Sequence, residues 1–71
     1  MPLAMVEAGR RVRLVGVNAG RGHQARLASM GLVPGTELEV IRNSFRGPFI
    51  VAVKECRVML GRRMVQRIVV E

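Results

Sequence analysis

The sequence predicts a mainly β domain: a small barrel of about five short strands with one short α-helix near residues 22–30. Three observations lead there. Short segments rich in Val, Ile and Leu recur along all 71 residues, each bounded by glycine, proline or polar turns. One stretch, residues 23–30, is made of good helix formers. The chain has room for a single domain, residues 1–71, so the segments must share one core. A barrel suits this size, because closing the sheet removes edges that would pair with other chains.

Residues 12–17 read Val-Arg-Leu-Val-Gly-Val and form the first expected strand, with Gly16 marking a bulge or sharp bend. The glycines of residues 18–22 make a loop. In the helix, Leu27 and Met30 share a face and are expected in the core, with Leu32. Gly31 stands where the helix should stop. A left-handed Gly31 would make Leu32 and Leu27 the apolar pair of a Schellman ending. Pro34 blocks the helix from resuming, and Pro34-Gly35 suits the centre of a type II turn. Residues 37–43 alternate in part, with Glu37 and Glu39 on a wet face. Residues 43–48 make a hairpin loop with Phe45 at its tip. Residues 49–54 and 57–60 are strands joined by a short connection at Glu55-Cys56. Residues 61–66 are a turn or a single helical turn, and residues 67–71 a closing strand with Ile68 and Val70 inward. Strand, helix, three-strand meander, turn and last strand is the order of an SH3-like barrel rather than an OB fold.

Composition narrows the function. Twelve Lys+Arg against five acids give a net charge of +7; eleven of the twelve are Arg. There is no Asp, one His (His23), one Cys (Cys56), no Trp or Tyr, and two Phe (Phe45 and Phe49). A Ser-His-Asp triad is excluded. Five scattered Glu make a poor hard-metal site, and His23 with Cys56 falls short of the roughly four ligands of a zinc site. No enzyme, cofactor or bound metal is expected. A small basic binding module remains, and its partner is acidic: nucleic acid, an anionic membrane surface or an acidic protein face. The single cysteine fits a reducing, cytoplasmic setting. The longest uninterrupted apolar run, residues 49–53, is far short of the ~20 residues of a membrane span. The N-terminus lacks the basic start of a signal peptide.

The stretch Arg26-Leu27-Ala28-Ser29-Met30-Gly31-Leu32-Val33-Pro34-Gly35 resembles the RL-x-x-MGL-x-PG signature of the ferrous iron transport protein A (FeoA) family. The resemblance continues with Leu3 and Gly9, with residues 36–43, with Gly47-Pro48 and its apolar strand, with residues 57–62, and with Ile68-Val69-Val70. It covers essentially the whole chain. The departures are larger residues at Glu55, Arg63 and Val65, near which family members often carry Gly, Gly and Ala. The family consists of short cytosolic SH3-like domains, some fused to other proteins such as iron-dependent repressors. The resemblance implies a non-enzymatic accessory of ferrous iron uptake. It would act by contact with the cytosolic part of a large membrane transporter that carries a G-protein domain.

Leu27, Met30, Gly31, Leu32, Pro34 and Gly35 read as structure, a capped helix pinned to a barrel, so the exposed His23, Gln24, Arg26 and Ser29 beside them are better contact candidates. The expected contact residues are Arg42, Phe45, Arg46, Arg62 and Arg63, because loops on a rigid barrel are exposed and Arg and aromatics favour interfaces. The arginines also have a plain reading, a solvated surface. A peripheral place at the anionic inner membrane, where each basic residue gains ~1 kcal/mol, is a further expectation. So is a homo-oligomer. A stand-alone relative of the repressor domain is an alternative reading of the resemblance. Nucleic acid is the rival explanation of the charge and ranks behind, since aromatic platforms for bases are scarce.

Overall fold

Leu14 is the pivot of the molecule. The first strand, β1 (Arg11–Val17), pairs through Arg11, Val12 and Arg13 with β2 (Glu37–Asn43), and through Leu14, Gly16 and Val17 with β5 (Ile68–Val70). The register slips between Leu14 and Gly16. One bent strand therefore serves two neighbours, and the bulge sits where Gly16 marked it. With β3 (Phe49–Val53) and β4 (Cys56–Leu60) the sheet runs β4-β3-β2-β1-β5, all antiparallel. The computed structural model describes residues 1–44 and 46–71.

The sheet curls without closing. Among the described residues β4 and β5 do not pair, so the expected full closure is not reached. Instead, the helical turn α2 (Arg62–Val65) joins β4 to β5 and inserts Val65, which is wholly buried. The chain ends meet: Val70 N–H donates to Met1 O at 2.8 Å, and the Met1 ammonium donates to Val70 O at 2.9 Å.

Alternation sorts the faces. Val12, Leu14, Leu38, Val40, Phe49, Val51, Val53, Val58, Leu60, Ile68 and Val70 point inward and are buried. A 3-10 turn at Leu3–Met5, which local propensity did not announce, adds Leu3 and then Val6 to this core. On the outer face, Arg11 meets Glu39 at 3.6 Å and Arg13 meets Glu37 at 3.5 Å, each a cross-strand pair.

The helix α1 (Arg21–Ser29) starts one residue earlier than the expected 22–30, because Gly20 is extended and accepts the first helical bond from Gln24 N–H. It ends as its sequence indicates. Gly31 has φ +87°; Leu32 N–H donates to Leu27 O at 2.9 Å and Gly31 N–H to Ala28 O at 3.0 Å, the Schellman pair of bonds. Leu27 and Leu32 are both buried. At Pro34-Gly35, Gly35 has φ +93° and Thr36 N–H closes the turn on Val33 O at 3.1 Å. Met30 departs from expectation. It is 36% exposed, because the helix rests on the barrel through Leu27 and the chain turns at Met30 before that side chain reaches the core.

The other boundaries shift by a residue or two. Lys54 has φ 56°, so β3 stops at Val53; Cys56 pairs with Val53 and opens β4, leaving a two-residue turn of Lys54-Glu55.

Candidate functional site

Among the described residues, the expected contact residues Arg42, Arg46, Arg62 and Arg63 do not gather into one surface. Arg42 and Arg46 are exposed at the hairpin, and Arg42 Nη2 lies against Gly47 so closely that a Cβ there would sit 3.2 Å from it. Phe45 lies outside the described residues. Arg62 is turned inward. Its Nη1 donates to Asn43 Oδ1 at 3.2 Å, while its Nε and Nη2 are buried with no hydrogen-bond partner among the described residues. Arg63, its neighbour on α2, points outward and belongs to a different surface.

That surface is a groove between α1 on one side and the end of β4 with α2 on the other. Its apolar part is lined by Leu27, Met30, Met59, Leu60 and Met64, with His23 and Arg26 along the helix wall. The cleft measures about 310 Å³, near the lower end of the ~300–1,000 Å³ usual for ligand sites. His23 and Met64 also line its continuation, where Arg63 and Arg67 stand opposite the start of α1. Burial explains the arrangement. Leu27 and Leu60 are core residues whose edges form the floor, whereas Met59, on the outer face of β4, is 70% exposed.

The charge of the groove is of one sign. None of the five glutamates lines either part. Across the molecule, Arg11 and Arg13 have a carboxylate within 4 Å; no other cation does among the described residues. A depression on the outer face of β2, lined by Arg11, Glu37 and Glu39, is by contrast already neutralised.

The helix candidates divide. Gln24 Nε2 donates to Val17 O at 3.2 Å and Ala19 O at 2.8 Å, tying α1 to the loop before it. Ser29 Oγ donates back to Arg26 O at 2.6 Å. Among the described residues, His23 and Arg26 make no such side-chain bonds, and both line the groove. Cys56 is exposed at the start of β4, opposite Val53, and is not part of the groove lining. No group of three His, Cys, Asp or Glu stands together among the described residues.

Sequence reasoning missed the methionine wall: Met30 was expected in the core, and neither Met59 nor Met64 was named as a contact residue. It also missed Asn43, whose Nδ2 donates to Ala4 O at 3.1 Å and Val6 O at 2.8 Å. Met59 was open to detection, because its neighbours Val58 and Leu60 face inward and strand alternation then puts Met59 outside.

A curled five-stranded antiparallel sheet with a helix between its first two strands defines a small SH3-like domain. The FeoA domain model matches residues 1–71, and the chain belongs to that family. It is 40% identical over 70 residues to the Fe(2+) transport protein A described in Methanocaldococcus jannaschii, an alignment covering 99% of this chain and 84% of that one. The solution structure of the FeoA protein from Chlorobium tepidum superposes with a TM-score of 0.89 at 31% identity, over 99% of this chain and 68% of that one. A Stenotrophomonas maltophilia FeoA, crystallised with zinc and described as a procaryotic SH3 domain protein, superposes with a TM-score of 0.84 at 25% identity, over 100% and 89%.

Proposed function

We propose that this chain is a non-enzymatic accessory of ferrous iron transport that works by touching the cytosolic part of the membrane transporter. Family membership and the naming of its relatives for Fe(2+) transport support the iron role. The single observation that favours the contact mechanism is the groove, an apolar cleft bordered by His23, Arg26, Arg63 and Arg67 with no carboxylate in its lining. Such a surface matches an acidic protein face and speeds its encounter. Among the described residues no helix is long and apolar enough to cross a membrane; on this reading the membrane-bound component is the partner.

The test is a titration against the purified cytosolic G-protein domain of the transporter, with and without nucleotide. Saturable binding, weakened at least tenfold by Arg63→Glu with Arg67→Glu, is the expected result. Absence of binding in both nucleotide states would overturn the contact mechanism. The +7 charge favours one rival, nucleic acid, and a salt series separates it: binding that persists at physiological salt would promote it, whereas loss below that point is charge alone.

A further inference from the structure

We propose that the groove between α1 and α2 takes a short acidic segment of a protein partner. One or two large apolar side chains of that segment sit among Met30, Met59 and Met64, and its carboxylates face Arg26, Arg63 and Arg67. This rests on the contact reading above for the partner, the transporter's cytosolic part, and adds the site and the chemistry of recognition.

Three features of the groove select that occupant. Its apolar part is concave and about 310 Å³, so it receives inserted side chains rather than a flat sheet of lipid. Its walls are methionines, which are unbranched and polarizable and fit varied apolar shapes without a preformed pocket. Met59 is 70% exposed and Met30 36% exposed, a cost in water that an inserted side chain would remove. Its polar border carries cations on both walls, Arg26 from the helix and Arg63 and Arg67 from the opposite side. Arginine forks suit carboxylates in particular.

A second copy of this chain does not supply the segment. Its five glutamates are scattered, and the closest two, Glu37 and Glu39, are engaged with Arg13 and Arg11 across the sheet. The net charge of +7 opposes self-association through a basic surface.

The five methionines provide the assay. With 13C-methyl-labelled methionine, Met30, Met59 and Met64 report the groove, and Met5, 71% exposed on the 3-10 turn, reports non-specific contact. The probes are a synthetic peptide of Leu and Glu with an amphipathic pattern, its Gln counterpart, and the transporter's cytosolic domain. Competing probes are phosphatidylglycerol vesicles and single-stranded oligothymidine. The acidic peptide is expected to shift the three groove methyls saturably and leave Met5 in place. The Gln counterpart should bind at least tenfold more weakly. Met59→Glu, at an exposed position that leaves the core intact, should weaken the acidic peptide at least tenfold, and Met5→Glu should not.

Peptide that leaves the three methyls unmoved overturns the proposal, as do vesicles or oligothymidine that move them at lower concentration. A cytosolic domain that binds but shifts only signals outside the groove overturns it too, while the contact mechanism stands. If the acidic peptide occupies the groove and the domain does not bind, the recognition chemistry holds and the transporter reading fails.

Discussion

Asn43 satisfies three groups at once. Its amide nitrogen donates to the carbonyls of Ala4 and Val6, and its amide oxygen accepts from Arg62. One side chain thus ties the N-terminal 3-10 turn, the end of β2 and the start of α2. Asn43→Ala strands two carbonyls and a guanidinium that is already short of partners, so the expected loss is about 1–3 kcal/mol by urea denaturation. A smaller loss would mean that water reaches these groups. Lys54 presents the opposite case. Its φ of 56° is a left-handed conformation that a side chain resists. Lys54→Gly is therefore expected to stabilise the protein by up to about 1 kcal/mol, read from the same denaturation midpoint. Destabilisation would mean that the lysine stem packs against the hairpin.

At the level of elements, α1 is the weakly held part. It has nine residues, no side-chain cap at Gly20 and one buried side chain, Leu27. Isolated helices of this length are marginal in water, so docking must come from Leu27, the Schellman ending with Leu32 and the Gln24 bonds to the preceding loop. Leu27→Ala is expected to cost about 2–5 kcal/mol overall and to release α1 first. Hydrogen exchange checks the order: α1 amides of the variant should exchange well before those of β2 and β3. Simultaneous exchange of helix and sheet would show that α1 belongs to the same cooperative unit. Since α1 forms one wall of the groove, the same variant also tests whether contact needs an ordered wall.

For the whole molecule, charge is the property to test. Arg11 and Arg13 are neutralised across the sheet, and exposed pairs of this kind contribute little to stability. The remaining cations set the long-range field, so binding of an acidic partner should weaken as salt shortens the Debye length from about 10 Å to about 3 Å. The change should fall mainly on the association rate, as stopped-flow measurements would report. A salt-independent association rate would mean that the apolar part of the groove governs encounter as well as residence.

Local chemistry made much of this legible from the residues alone. Gly31 and Gly35 required positive φ, Pro34 stopped the helix, Gly16 marked the bulge, and alternation sorted Leu38, Val40, Val58 and Leu60 inward. These are effects of neighbours in the chain, and spacing carries them. The grouping of distant side chains was not legible. Met30, Met59 and Met64 meet because α1 lies beside the end of an unclosed sheet, and Arg62 and Arg63, adjacent in the chain, part to opposite sides of a helical turn. Nothing in composition or spacing encodes such distances. The one-signed groove, and the separation of its arginines from those paired on the sheet, arise only when the strands bend around a common core.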